Sequence, residues 1–324
     1  MSIKDMVLEH LENNKGIYIS GGDLAKSLDV SRNSIWKAIK SLERDGYLIE
    51  AIPNRGYCLS ESNDILSAQS IAKYCKHPFE IEVYETVSST NTLLKEKAEN
   101  GANHGTVILA KEQTSGRGRM GKEFYSPSNT GIYLSILLRP DFSASESLFL
   151  TTAAAVATAR AIEDASGKAA DIKWVNDIYI DGKKVCGILT EASLNIETNH
   201  LDYAVVGIGI NICAPSEEFP KELQSIATAV FDNPSDSQNK QSLLVANLLN
   251  YFMDYYNDFR SKKYVDEYIR RSFILGKEIY VLEGNTQWEA TALEIDRDCR
   301  LKVRFTDGHE KWLSSGEVST KIIN

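Results

Sequence analysis

The segment Gly116-Arg117-Gly118-Arg119-Met120-Gly121-Lys122 limits what this chain can become more than any other stretch. It lies between two apolar runs, Thr106-Val107-Ile108-Leu109-Ala110 and Gly131-Ile132-Tyr133-Leu134-Ser135-Ile136-Leu137-Leu138, which read as β-strands. The segment is then a loop between strands, and its glycines permit positive φ and close backbone approach to a ligand. Two arginines and a lysine add fixed positive charge, and the arginines add fork-shaped donors suited to phosphate or carboxylate. A merely solvated hairpin loop would tolerate any polar residues. Alternating glycine and arginine points instead to an anion-binding loop, mobile until an anion fills it. It is not a P-loop, because no Gly-Lys-Ser/Thr follows to open a helix.

With 324 residues the chain has room for two or three domains. A net charge of −9 argues against whole-surface attraction to nucleic acid or anionic membrane, so such binding must be local. No apolar run approaches the roughly 20 residues that span a bilayer. The start, Met1-Ser2-Ile3-Lys4-Asp5, lacks a signal-peptide pattern, so a cytoplasmic protein without membrane contact is expected. Cys58, Cys75, Cys186, Cys213 and Cys299 are odd in number and scattered, which predicts reduced thiols. The histidines are equally dispersed, and no structural metal is expected.

In the first sixty residues, Ile3, Met6, Val7 and either Leu8 or Leu11 suit one face of a helix. Gly21-Gly22-Asp23 opens a second helix. Ser31 caps a third, Ser34 to Leu42, ending near Gly46. Helix, tight turn, helix is the helix-turn-helix pattern. Tyr47-Leu48-Ile49 and Tyr57-Cys58-Leu59, joined by Pro53-Asn54-Arg55-Gly56, add a wing. Residues 1–61 hold eight Lys/Arg and nine Asp/Glu, so this region is not basic as a whole. The third helix is: Arg32, Lys37, Lys40 and Arg44 face only Glu43 and Asp45. Ser31, Arg32, Asn33 and Ser34 lie at its N-terminal end, where a recognition helix meets base edges, while Lys37, Lys40 and Arg55 can reach phosphates. A protein-interaction module is the competing reading. A near-neutral domain binds DNA weakly alone, which predicts dimeric binding at paired half-sites.

Ser60 to Ser67 is polar without period and reads as a linker. Ile81 to Glu85 alternates like a half-buried strand, and Ser88-Ser89-Thr90-Asn91 leads into a helix closed by Asn100-Gly101. One helix cap needs only one of these polar groups, so the others either face a ligand or are spare. Glu146 to Ala165 is an alanine-rich core helix. Ile172-Lys173-Trp174-Val175-Asn176-Asp177 precedes a hairpin turning at Asp181-Gly182, with Lys184 just beyond the turn. Lys184 either snorkels or presents a point charge to a bound anion. Tyr203 to Ile212 is a buried strand on which Gly207 and Gly209 share a face, open to a flat group such as adenine. Gln241 to Tyr264 reads as one helix with a packed aromatic face. Four short strands follow: Glu278–Leu282, Thr291–Ile295, Leu301–Phe305 and Lys311–Leu313. Turns at Gly284-Asn285, Asp296-Arg297-Asp298 and Asp307-Gly308 complete a small barrel of SH3-like size.

Taken in order, the winged helix, Ser88-Ser-Thr-Asn91, Gln113, Gly-Arg-Gly-Arg-x-Gly, Lys173-Trp-x-Asn-Asp177, Lys184 and Gly207-x-Gly-x-Asn211 resemble the biotin protein ligases in their bifunctional bacterial form, which also represses the biotin operon. Val175 stands where the family usually has proline. Met120 stands where relatives often carry a basic or small residue. The resemblance implies an α+β multidomain chain. A winged helix-turn-helix would occupy 1–62, and a mixed α/β domain with the sheet of the biotin/lipoyl ligases 63–270. An SH3-like barrel would occupy 271–324. It implies that biotin and ATP, with Mg²⁺, give biotinyl-5′-AMP, and that a lysine of a carboxylase carrier domain then receives the biotin. It places Ser89, Thr90, Asn91, Gln113, Arg117, Gly118, Arg119 and Lys184 around biotin. Arg117, Arg119 and Lys184 would offset the charge of the reacting anions. Asp177 would help deprotonate the acceptor lysine, or else form a structural ion pair. Operator DNA and a homodimer formed on adenylate binding complete the expectation. The alternatives are a lipoate-type ligase and a ligand-sensing repressor without turnover.

Overall fold

The computed structural model describes residues 2–141, 146–195, 200–215, 219–283, 286–314 and 317–320. The expected turn at Gly284-Asn285 lies outside them. The chain begins with α1 (Ile3–Asn13), α2 (Gly21–Ser27) and α3 (Arg32–Arg44). Ser2, Ser20 and Ser31 cap these helices by accepting from the backbone amides of Asp5, Asp23 and Ser34, which satisfies donors that would otherwise be orphaned. Their inner faces meet in a core of Val7, Leu8, Leu11, Leu24, Ile35, Ile39 and Leu42. Both Leu8 and Leu11 are buried, whereas Ile3 lies exposed at the helix entry. The wing is β1 (Ile49–Ile52) against β2 (Gly56–Leu59). Its first strand starts two residues later than the apolar run suggests, because Tyr47 is drawn into the core and its amide donates to Leu42 O at 3.0 Å.

The polar stretch after the wing is packed and does not act as a free linker. Asn63 is buried and accepts from the Leu48 amide at 3.0 Å, and Ile65 packs on the winged-helix core. Beyond it, α4 (Ala68–Ala72) rests on α1, and Lys73 Nζ reaches the buried Glu12 carboxylate at 2.8 Å.

The central region contains β3 (Glu80–Val87), α5 (Thr90–Glu99), β4 (Thr106–Gln113) and β5 (Gly131–Leu138). It continues with α6 (Leu148–Ser166), β6 (Asp171–Lys173), β7 (Asp177–Ile180), β8 (Lys183–Asn195) and β9 (His200–Asn211). These strands form a mixed seven-stranded sheet in the order β3-β4-β5-β9-β8-β7-β6, with only β3 and β4 parallel. After the short α7 (Lys221–Gln224), α8 (Gln241–Asn257) packs on α6, and both bury their apolar sides with the sheet. The expected single helix to Tyr264 is broken. The chain turns at Lys262 (φ 52°) and restarts as α9 (Val265–Arg271). That turn swings Tyr264 into the core, where its hydroxyl lies 2.9 Å from Thr152 Oγ1.

The C-terminal strands are β10 (Glu278–Glu283), β11 (Thr286–Ile295), β12 (Leu301–Phe305), β13 (Glu310–Leu313) and β14 (Glu317–Thr320). They form an antiparallel sheet ordered β13-β12-β11-β10-β14, consistent with an SH3-like domain. Here β11 begins earlier than expected, and β14 is a further strand that pairs with β10. One apolar core runs from the central sheet into this sheet, and Trp174 Nε1 donates to Cys299 O at 2.9 Å across the junction. All five cysteines are free thiols.

Candidate active site

Register builds a trough on one face of the sheet. Ser135 stands opposite Gly207, which stands opposite Leu189; Tyr133, Gly209 and Gly187 form the next row. Residues paired across strands share a face, so three glycines lie close together there. The space is occupied from above by the chain's own groups. A Cβ on Gly207 would lie 2.1 Å from Asn91 Oδ1, and one on Gly209 would lie 2.5 Å from the Phe124 ring. In this structure the flat group against Gly209 is the ring of Phe124.

At the floor of the trough a chain of hydrogen bonds fixes the polar side chains. Lys95 Nζ lies 2.8 Å from Glu191 Oε1, and Asn91 Nδ2 donates to Glu191 Oε2 at 2.9 Å. Ser135 Oγ lies 2.6 Å from Asn91 Oδ1 and 2.7 Å from Thr90 Oγ1. Gln113 Oε1 accepts from the Thr90 amide at 2.9 Å, and its Nε2 donates to Ser126 Oγ at 2.9 Å. Ser89 is the N-cap residue of α5 yet makes no side-chain cap bond, which leaves its hydroxyl available to the cavity. Burial pushes the Glu191 carboxyl up, but hydrogen bonds from Lys95 and Asn91 and the charges of Lys95 and Arg117 outweigh it. The group ends below its ordinary value.

The glycine-arginine segment forms a tight hairpin over this floor. Gly118 N donates to Lys122 O at 2.7 Å and Phe124 N to Gly116 O at 2.9 Å. At its tip Met120 takes φ 55° and is largely exposed. Arg117 Nη1 lies 3.2 Å from Glu191 Oε1, and Arg119 Nη1 donates to Asn176 Oδ1 at 3.1 Å. Lys184 follows the Asp181-Gly182 turn, whose φ values of 49° and 76° fit a two-residue hairpin. Its ammonium lies 2.7 Å from Asp177 Oδ1, and Asn176 Nδ2 donates to the same oxygen at 3.1 Å. Asp177 thus forms its ion pair with Lys184.

A cavity of about 400 Å³ lies between floor and hairpin, lined by polar and apolar groups in the manner of small-molecule sites. Every residue expected around a ligand lines it: Ser89, Thr90, Asn91, Gln113, Arg117, Gly118, Arg119, Asp177 and Lys184. Trp174 of the Lys173-Trp-x-Asn-Asp177 motif lines it too, as do Phe124 and Leu189, which the sequence does not single out. Ser135 and Glu191 act beneath the lining, and the sequence reading missed them too. A lone hydroxyl in an apolar strand was the available signal for Ser135.

The third helix presents Arg32, Asn33, Lys37, Lys40 and Arg44 to solvent. Ser31 and Ser34 are partly engaged with each other, Ser31 Oγ accepting from Ser34 N at 3.1 Å. Lys40 pairs with Glu43 at 2.6 Å, and Arg55 on the wing lies 4.2 Å above the Tyr18 ring.

Comparison with known proteins identifies the family. Residues 83–211 match the family model of the biotin/lipoate A/B protein ligases, and residues 5–58 match that of a helix-turn-helix domain. The chain is 34% identical over 304 residues to the bifunctional ligase/repressor BirA of Bacillus spizizenii, covering 92% of this chain and 93% of that protein. Its identity to the BirA of Escherichia coli K12 is 24% over 306 residues, with 94% of each covered. The biotin protein ligase from Aquifex aeolicus in complex with biotin and ATP superposes with a TM-score of 0.62 at 27% identity, over 75% of this chain and 98% of that one. This chain belongs to the bifunctional ligase/repressors, a biotin ligase using biotin and ATP and carrying an N-terminal helix-turn-helix domain.

Proposed function

We propose that the cavity beneath the 116–124 hairpin joins the biotin carboxylate to the α-phosphate of ATP, and that the product is then transferred to a carrier-domain lysine. The supporting observation is that Arg117, Arg119 and Lys184 line one cavity, together with Lys122 and Lys173, above a hydrogen-bonded floor. A carboxylate oxygen attacks phosphorus and pyrophosphate leaves. Two anions must meet for this, so fixed positive charge lowers the barrier. The neutral ε-amine of the acceptor lysine then attacks the anhydride carbonyl, AMP leaves, and the amine loses one proton. Asp177 holds Lys184 toward the anions and is a carboxylate in the cavity able to take that proton.

The floor suits a ureido ring, which both donates and accepts hydrogen bonds. Asn91 has its amide donors turned toward Glu191 and Leu189 O, and its oxygen, which already accepts from Ser135 Oγ, keeps one lone pair for a ring N–H. Ser89 can donate to the ring carbonyl. The hairpin shields the anhydride from water when it closes. Among the described residues no three carboxylate, imidazole or thiol groups gather to hold a metal. The Mg²⁺ that accompanies ATP would be held mainly by the phosphates, and no step here depends on a protein-bound ion.

The boundaries 1–62, 63–270 and 271–324 would delimit a DNA-binding, a catalytic and an accessory domain, with Asn63 and Ile65 at the first junction packed on the winged helix. Ser31, Arg32, Asn33, Ser34, Lys37, Lys40 and Arg55 would meet operator DNA. Adenylate would close the hairpin and favour a dimer that pairs two winged helices. Incubation with ATP, a carboxylase carrier domain and either biotin or lipoate tests the enzymatic part. Modification of one carrier lysine by biotin alone supports it, and modification by lipoate alone contradicts it.

A further inference from the structure

Helical geometry places three residues of α3 in one outward row. Arg32, Trp36 and Lys40 are spaced four apart, with Asn33 and Lys37 beside them, while Ile35, Ala38, Ile39 and Leu42 face the core. Trp36 is 51% exposed and is absent from the winged-helix core. A single exposed tryptophan needs no explanation by itself. Its surroundings do: both of its helical neighbours in the row are exposed cations. It also lies in the N-terminal half of α3, the part of a recognition helix that meets base edges. Glu43 lies on the same side, but Lys40 holds it.

An indole flanked by cations complements a polyanion that offers an apolar spot between its phosphates. Duplex DNA has that chemistry, because the thymine C5-methyl is the apolar feature of the major groove. A second copy of this helix fits poorly, since it would set the same cations against each other. We propose that Trp36 is a sequence-reading residue, its indole packing on a thymine methyl in the major groove while Arg32 and Lys40 contact flanking phosphates. The proposal rests on the DNA-binding reading of the winged helix.

The test uses the full-length protein with biotin and ATP. A duplex is first selected from a random pool, then remade with each thymine replaced in turn by uracil, which removes only the methyl. At one or two positions uracil is expected to weaken wild-type binding about fourfold, the worth of one buried methyl-sized group. Trp36→Ala should bind the parent duplex at least ~10-fold more weakly and ignore those uracils. Trp36→Phe should retain the uracil sensitivity. Biotin transfer by Trp36→Ala should match wild type, because the residue lies outside the catalytic cavity, and this also reports an intact fold. A flat uracil scan, or a Trp36→Ala scan identical to wild type, overturns the proposal and leaves DNA binding standing. A changed sedimentation coefficient with an unchanged scan also overturns it, in favour of a second copy as the occupant. If no duplex is enriched, the DNA-binding reading falls, and this proposal with it.

Discussion

Lys184 and Gly207 carry the clearest single-residue consequences. Lys184 is an ammonium held in the cavity by Asp177, so its charge is aimed before ligand arrives. Lys184→Ala removes that charge and releases Asp177. Biotin affinity should fall at least ~10-fold by titration calorimetry, the order expected for losing a charge-assisted bond. Unchanged affinity would remove Lys184 from the site. Gly207 permits a close approach: a methyl there would sit 2.1 Å from Asn91 Oδ1, where Ser135 and Glu191 already fix the amide. Gly207→Ala should push Asn91 out of position and raise the Michaelis constant for biotin ~10-fold or more with little change in melting temperature. An unaltered constant would show that Asn91 does not contact the ring.

Among the secondary structures, α6 and α9 are joined by a guanidinium clamp. Arg271 donates to Glu163 at 2.7 Å through each of two nitrogens and also to Glu267. The Arg271 hydrogen bonds are the main reason the Glu163 carboxyl sits below its ordinary value of 4.5, against a smaller opposing push from burial. A lowered carboxylate value means that the stabilisation is present above pH 4.5 and lost as pH falls through the folded value. The melting temperature should therefore drop as pH falls below 4.5, and less steeply in Glu163→Gln, which is less stable at neutral pH. Parallel melting curves for the two proteins would contradict this role.

Much at this level could be read from residues alone. Asp181-Gly182 marks its hairpin because both residues must take positive φ, and Ser31 marks the start of α3 because helix amides need an acceptor. The break after Asn257 was hidden, since the aromatic period runs on through the turn. Glu191 and Ser135 were hidden for a different reason. Their importance depends on β9 lying between β5 and β8, and spacing along the chain does not show which strands become neighbours.

Over the whole chain, the winged helix is fastened to the catalytic region by the pairing of Lys73 with buried Glu12 and by the packed stretch around Asn63. In the proposed regulation, a dimer would link loop closure to DNA binding while that contact stays in place. Sedimentation with biotin and ATP should show a dimer where the ligand-free protein is smaller, and operator affinity should fall steeply with salt as phosphate contacts are screened. The same sedimentation coefficient in both states would remove the proposed regulation. The central claim, that the cationic hairpin and the cavity below it activate biotin, is tested most directly by biotin-dependent exchange of labelled pyrophosphate into ATP. Wild-type protein should exchange only when biotin is present, and folded Arg119→Ala should be slower by about 100-fold or more. Exchange that proceeds without biotin, or that survives loss of Arg119 unchanged, would contradict the account.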